Sequence, residues 1–188
     1  MRAYYEARAR EYDEWWLWHV DQHPEEFAAL VSVVESLPPA RTLDVGCGTG
    51  FLTRYLRGDV VGIDQSASVL EIAAEQAPEA ELVQGEGIEL PFEDRSFDRV
   101  FTSHFYGHLD PAERGRFLAG ARRIAPELIV VDSAVRPDRT ETLMQERVLK
   151  DGSRWAVLKR YFTGAGLVAE LAGGEVLHEG EYFVLVRT

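Results

Sequence analysis

The sequence predicts an α/β fold in three layers, a mostly parallel sheet covered by helices on both faces. Two observations predict it. Short apolar runs near residues 41–45, 59–64, 81–86, 97–102 and 127–132 alternate with helix-patterned segments, as in parallel sheets whose strands are joined by helices. The first of these runs stops in Gly46-Cys47-Gly48-Thr49-Gly50, three glycines at alternate positions, and then enters a helical segment.

The elements follow in order. Residues 3–18 and about 24–36 read as two helices, the first dense in aromatic side chains (Tyr4, Tyr5, Tyr12, Trp15, Trp16, Trp18). The second has Pro24 in its first turn, with Glu25 and Glu26 beside the positive end of its dipole, and Pro38-Pro39 ends it. Ser66 stands as an N-cap before Val69, Leu70, Ile72 and Ala73. Asp110-Pro111-Ala112-Glu113 places Asp at an N-cap, Pro at the first helical position and Glu at the third. Thr163 caps a short helix that ends at Gly173-Gly174. After residue 133 the alternation breaks down. Pro137 opens a polar stretch, Asp151-Gly152 reads as a hairpin turn, and 175–179 with 182–187 read as a closing strand pair. No repeat or low-complexity segment interrupts the pattern.

A chain of 188 residues with 46% hydrophobic content is expected to form one domain with a core of its own. Its formal charge of −12, from 32 acidic and 20 basic residues, argues against a nucleic-acid substrate. The richest basic stretch carries Arg147, Lys150, Arg154, Lys159 and Arg160, and reads as a solvated face or as a contact for an anionic small molecule, with a local nucleic-acid patch as the lesser alternative. No apolar run approaches the roughly 20 residues of a membrane span. Met1-Arg2-Ala3-Tyr4-Tyr5 leads into charged residues rather than a signal peptide's apolar core, so the cytoplasm is the expected compartment. The single cysteine, Cys47, has no partner for an internal disulfide, in keeping with a reducing compartment.

The glycine turn bears on the ligand class. Glycine serves where the backbone takes positive φ or approaches a ligand closely, and in open α/β sheets the carboxyl ends of the strands are where ligands bind. A dinucleotide fingerprint runs Gly-x-Gly-x-x-Gly, but here its third glycine position is Phe51, which weakens a nicotinamide reading. About 20 residues after Asp44, the second strand ends in Val60-Val61-Gly62-Ile63-Asp64. An acid at that distance suits the two ribose hydroxyls of an adenosine ligand, with capping of the helix begun by Ser66 as the lesser reading.

The stretch from Leu43 to Gly50 resembles motif I of the class I (Rossmann-like) S-adenosylmethionine-dependent methyltransferases, and the resemblance continues in order to about residue 133. It implies a Rossmann-like α/β/α sandwich whose mostly parallel seven-stranded sheet has an antiparallel edge strand. It also implies S-adenosyl-L-methionine as cofactor and S-adenosyl-L-homocysteine as product. The whole of 1–188 is then one methyltransferase domain: an N-terminal helical lid (1–37), a cofactor-binding core (38–133), an insertion near the active site (134–160), and a closing helix and strand pair (161–188).

The resemblance also distributes roles. Gly46, Gly48 and Gly50 shape the cofactor loop, with Cys47 contributing a small side chain and a backbone N–H. Asp44 orients the loop and faces the cofactor's ammonium. Asp64 takes the ribose hydroxyls, Gln65 packs against or hydrogen-bonds the adenosine, Glu86 accepts from the adenine amino group, with a solvent-exposed loop acid as its other reading, and Gly87 follows as the small residue. Tyr12, in a Tyr-Asp pair with Asp13, lies over the cofactor, and aromatic faces suit a sulfonium cation; packing of the helix on the sheet is the other reading. Thr102, at the end of the fourth strand, joins the cofactor set.

His104 and His108 follow that strand, where substrate and methyl group should meet. Four residues apart, they read as general bases, as half of a metal site, or as packing residues with satisfied ring nitrogens; no metal is assigned. The Asn/Asp-Pro-Pro-Tyr signature of enzymes methylating adenine or glutamine amino groups is absent. The expected function is methyl transfer to an O, N or C atom of a small-molecule acceptor. The alternatives are a non-catalytic S-adenosylmethionine-binding or interaction protein and, behind it, a nicotinamide-dependent oxidoreductase.

Overall fold

The structure, a computed structural model, describes residues 2–137 and 142–188. Five strands run parallel: β1 (Thr42–Val45), β2 (Val60–Asp64), β3 (Glu81–Gln84), β4 (Arg99–Ser103) and β5 (Glu127–Ser133). A hairpin, β6 (Thr142–Val148) with β7 (Arg154–Arg160), stands apart from them. The last two strands, β8 (Glu175–Glu179) and β9 (Phe183–Arg187), complete the main sheet, whose order is β3-β2-β1-β4-β5-β9-β8. β9 is antiparallel to both of its neighbours, pairing Ile129 with Arg187 on one side and Val176 with Val186 on the other. The seven-stranded, mostly parallel sheet expected from the resemblance is therefore present.

The helices are α1 (Arg2–Arg8), α2 (Glu14–Gln22), α3 (Pro24–Ser36), α4 (Ala67–Gln76), α5 (Pro111–Ile124) and α6 (Gly164–Glu170). Alternation along the strands divides the core into two layers. Val100, Leu128, Val130, Val184 and Val186 pack with Phe117 and Ile124 of α5 and Leu167 of α6. Their neighbours Phe101, Ile129, Val131, Phe183 and Leu185 pack with Trp16 of α2 and Phe27, Leu30 and Val34 of α3.

The predicted caps are all made. Ser66 Oγ accepts from Val69 N, Thr163 Oγ1 accepts from Gly166 N, and Asp110 with Glu113 forms a reciprocal capping box. Gly152, at φ +84°, closes the β6–β7 turn, where Ser153 N also donates to Asp151 Oδ1.

Three expectations need correction. The single helix over 3–18 is broken into α1, a 3₁₀ turn at Ala9–Glu11, and α2. At the break Asp13 turns away to accept from Thr49 Oγ1 in the glycine turn and from Gln76 Nε2 at the end of α4, tertiary partners that local pattern does not encode. After the glycine turn there is only a 3₁₀ turn at Thr53–Tyr55, because the chain must reach β2 at Val60 and Thr53 Oγ1 is drawn back to Asp44 Oδ2 at 2.7 Å. β3 ends at Gln84 rather than 86, leaving Gly85 and Glu86 free of the ladder beyond one bond from Gly85 N to Asp64 O.

The sheet order reverses between β1 and β4. The chain works outward from β1 through β2 to β3, then returns to β4 on the other side. That switch point opens a crevice at the carboxyl ends of Val45 and Ser103. Two elements close over it. α1 docks through Glu6, whose carboxylate accepts from Ala67 N and Ser68 N at the start of α4. The hairpin turn docks on the α1–α2 break, with Lys150 N donating to Glu11 Oε1 and the Lys150 ammonium paired with Glu14. Tyr4 packs against Trp155, Leu149 and Val157 to fill the seam.

Candidate active site

The glycine turn takes left-handed backbone at all three glycines, with φ of +69° at Gly46, +55° at Gly48 and +77° at Gly50. A Cβ at Gly46 would lie 2.9 Å from the Phe105 ring, so a side chain there meets both strain and a wall. Gly48 lies directly beneath the ring of Tyr12. Gly46 N and Cys47 N both donate to Ile63 O, tying the turn to β2.

Asp64 fastens the other side. Its Oδ2 accepts from Gly48 N at 3.1 Å and its Oδ1 from Ser66 N at 2.9 Å, so it braces both the turn and the start of α4. Burial raises its carboxyl above the ordinary value, against these hydrogen bonds, which lower it.

Asp44 is buried at the end of β1. Its Oδ2 accepts from Thr53, while Oδ1 has no partner among the described residues. Burial pushes its carboxyl up to about 7, with Thr53 opposing and the charge of Asp64 adding to the rise. An unpaired buried carboxylate oxygen is a site for a cation. It lines a small cavity with Tyr12, Trp16, Gly46, Cys47 and Ser103.

Beside it lies a cavity of about 340 Å³ lined by Tyr5, Tyr12, Gly46, Asp64, Gln65, Glu86, Gly87, His104, Phe105 and His108, among others. Gln65 and Glu86 reach it from the ends of β2 and β3. Glu86 is exposed and makes no hydrogen bond or ion pair among the described residues. Gly87 is held tightly, since a Cβ there would come within 2.8 Å of Phe105 and 2.9 Å of Val45.

Asp44 and Cys47 line only the small cavity, and Gly48, Gly50 and Thr102 line neither it nor this space. Thr102 is fully buried and its Oγ1 donates to Val45 O at 2.7 Å, which locks β4 to β1. Alternation puts Thr102 on the α5 side of the sheet; its neighbour Ser103 points the other way, toward Trp16, with a buried hydroxyl that has no partner among the described residues. Gly50 packs on Ala73 of α4 and on Ala77 just after it instead of lining a cavity. Cys47 is buried against Gly62, and burial raises its thiol well above the ordinary value, the opposite of what a nucleophile needs.

A second cavity, of about 130 Å³, lies between α1–α2 and the hairpin. Tyr5, Tyr12, His104 and His108 line both it and the larger one, so the two spaces meet at these four side chains. Burial and the Tyr12 hydroxyl raise the Tyr5 phenol well above its ordinary range, and the Tyr12 phenol is likewise pushed up by burial, so both stand as neutral donors.

His104 has φ of +52°, unusual for a side-chain-bearing residue. Its ring is wedged edge-on against Trp15 and Trp16, with centroids 4.7 and 5.0 Å away. Nδ1 lies 3.3 Å from Ser133 Oγ and 3.7 Å from Asp132 Oδ1, while Nε2 is buried without a partner among the described residues. His108 Nδ1 lies 2.6 Å from Leu158 O, which makes Nδ1 the protonated nitrogen because a carbonyl only accepts. Burial, and then the Lys159 charge, lower both imidazoles, His108 to about 3, so both are neutral at physiological pH. Among the described residues there is no group of three side chains suited to a metal ion, so the half-metal-site reading gains no third ligand.

Sequence pattern alone does not mark Tyr5, Phe105 and Ser103 as site residues. Only the position of Ser103, directly after Thr102 at the end of a strand, carries a signal. Among the described residues no helix is long and apolar enough to cross a membrane.

Known proteins bear on the family and the fold. Residues 43–127 match a family model described as a methyltransferase domain. Demethylmenaquinone methyltransferase of Thermotoga maritima is 32% identical over 100 residues, a match covering 50% of this chain and only 43% of that protein. The DhpI–SAH complex superposes with a TM-score of 0.80 at 26% identity, covering 98% of this chain and 92% of that one. The 1,6-didemethyltoxoflavin-N1-methyltransferase of Burkholderia thailandensis, with TM-score 0.68 and 16% identity over 99% of this chain and 85% of its own, shares the fold. The matched segment runs from β1 to the first residue of β5 across the switch point, so residues 43–127 carry a methyltransferase domain, and the chain has the class I, Rossmann-like fold of S-adenosylmethionine-dependent methyltransferases.

Proposed function

We propose that this chain binds S-adenosylmethionine in the larger cavity and catalyses transfer of its methyl group to an O, N or C atom of a small-molecule acceptor in the adjoining one. The observation that carries this reading is that the two cavities share Tyr5, Tyr12, His104 and His108. The residues on the cofactor side fit that group. Asp44 presents a buried, unpaired oxygen for an ammonium, Asp64 retains lone pairs for ribose hydroxyls, and Glu86 is a free acceptor for an adenine amino group. Gly46 and Gly87 keep the space open where a Cβ would not fit.

When bound, the cofactor supplies a methyl group already activated by its sulfonium leaving group. The chain's own task is then alignment and exclusion of water. Tyr12, Trp15 and Trp16 cover the switch point from α2 and the turn before it, in the role of a lid over residues 38–133. Their aromatic faces, with that of Tyr5, suit a cation. His104 and His108 are uncharged, so each keeps a ring lone pair for a hydroxyl or ammonium nucleophile, while the burial that holds them neutral makes them weak bases; an acceptor atom that is already deprotonated needs neither.

Calorimetric titration of the protein and of Asp64→Ala with S-adenosylmethionine, S-adenosylhomocysteine and NAD tests the reading. Binding of the first two, weakened in the variant, is the expected result. Binding of NAD alone, or of none of the three, would overturn it.

A further inference from the structure

The second cavity is cationic in a strongly acidic protein. Arg8, Arg136, Arg147 and Lys159 line it, and among the described residues no carboxylate does, although acidic residues outnumber basic ones by 32 to 20 in the chain. Three elements supply these charges: α1, the stretch after β5, and both strands of the hairpin.

Not all four are available. Lys159 is spoken for by Asp132, 2.7 Å away, and Arg136 lies over the Tyr182 ring at 4.5 Å. Arg8 and Arg147 are different. Arg8 stacks on Tyr12 at 4.8 Å, and neither guanidinium makes an ion pair or hydrogen bond with any described residue. Like charges crowded into a partly enclosed space repel one another, an arrangement that an anion relieves. Guanidinium groups grip oxyanions through paired N–H donors, and stacking on an aromatic face orients them for it.

Gln145 adds a neutral donor. Its amide nitrogen stands 2.6 Å from the Tyr161 hydroxyl, while Oε1 is buried with no partner among the described residues. With the amide turned over, which exchanges two ends of the same shape, Tyr161 donates to Oε1 and Nε2 faces the cavity as a further donor.

Resting on the methyltransferase reading above, we propose that the acceptor is a small molecule bearing a doubly charged, phosphate-like oxyanion, held by Arg8 and Arg147 in the cavity between α1 and the hairpin. Two unmatched guanidiniums balance a dianion, whereas a monocarboxylate leaves one unpaired. The cofactor's own carboxylate is not the anion in question, because Arg8 and Arg147 line the hairpin cavity and neither lines the larger cavity nor the one beneath Asp44.

The test is calorimetry at pH 8 on protein saturated with S-adenosylhomocysteine, titrated with methyl phosphate, methylphosphonate and acetate, in wild type, Arg8→Gln and Arg147→Gln. The expected result is binding of the two dianions ahead of acetate, with affinity reduced about tenfold in each variant and affinity for S-adenosylhomocysteine unchanged. Preference for methyl phosphate over methylphosphonate, or the reverse, tells which linkage the acceptor carries. Dianion affinity that is absent, no better than that of acetate, or unmoved in both variants while S-adenosylhomocysteine still binds overturns the proposal alone. Failure of S-adenosylhomocysteine to bind wild type overturns the functional reading beneath it.

Discussion

Lys159 Nζ lies 2.7 Å from Asp132 Oδ1, and both side chains are buried, joining the hairpin to the end of β5. Asp132 also accepts from Gly107 N at 2.7 Å and from Ser133 N at 2.8 Å. Burial by itself would raise the Asp132 carboxyl, but the Lys159 charge and the neighbouring histidines hold it below its ordinary value. One pair thus fixes the hairpin that roofs the second cavity relative to the strand ends beneath it.

Lys159→Met is expected to destabilise the fold by about 3 kcal/mol, since it leaves a buried carboxylate with no counter-ion. Lys159→Met with Asp132→Asn should recover part of that loss, because the charge is then gone as well. Denaturant unfolding of the two variants and wild type measures both. Equal stability in all three would show that the pair contributes nothing.

Asp44 gives a prediction of opposite sign. Its carboxyl is raised to about 7 in the folded protein from an ordinary value of about 3.9. Native protein then holds a proton that the unfolded chain releases between those values. This contribution to stability is complete below about pH 4 and is lost as pH rises through about 7. Asp44→Asn should therefore be more stable than wild type at pH 8, with the difference vanishing near pH 4. The same variant should bind S-adenosylmethionine more weakly, having lost the charge that faces the ammonium. A variant less stable than wild type at pH 8 would contradict the placement of an unpaired carboxylate there.

The glycines separate into those the fold needs and those it tolerates. Gly46→Ala forces positive φ on alanine and drives its Cβ to 2.9 Å from Phe105, so a loss of about 2 kcal/mol and of cofactor binding is expected. Gly115 lies exposed within α5, with nothing within 4 Å of where a Cβ would stand. Gly115→Ala should instead stabilise by about 0.5–1 kcal/mol through helix propensity. Melting temperatures decide both.

Much of this molecule is legible in its sequence because the signals are local. Ser66, Asp110 and Thr163 cap the helices they precede, and the run from Leu43 to Gly50 sets strand, turn and switch point within eight residues. What is illegible depends on partners far apart in the chain. Asp13 breaks the first helix for the sake of Thr49 and Gln76. Thr102 and Ser103 exchange places because strand alternation decides which hydroxyl sees the cavity. The second cavity joins Arg8 to Arg147 across 139 positions of sequence, so the basic stretch from Arg147 to Arg160 is visible there but not its convergence with α1.

His108 supplies the last prediction. Its imidazole is lowered to about 3, mainly by burial and then by Lys159, against an ordinary value of about 6.5. Between these values the unfolded chain takes up a proton that the native protein refuses, so stability rises with pH across this range and is lost as pH falls from about 6.5 toward 3. His108→Gln should accordingly gain stability relative to wild type as pH falls from 7 to 5. Because Asp44 acts in the opposite direction, the comparison is made between variant and wild type at each pH. The neutral imidazole also means that turnover should show no ionisation of His108 near 6.5. Were kcat/KM to fall through a midpoint near 6.5 in wild type and lose that midpoint in His108→Gln, the buried, carbonyl-bonded histidine described here would be wrong. If alanine at both His104 and His108 left turnover unchanged across the pH range, neither would be a base, as an acceptor already carrying an oxyanion would allow.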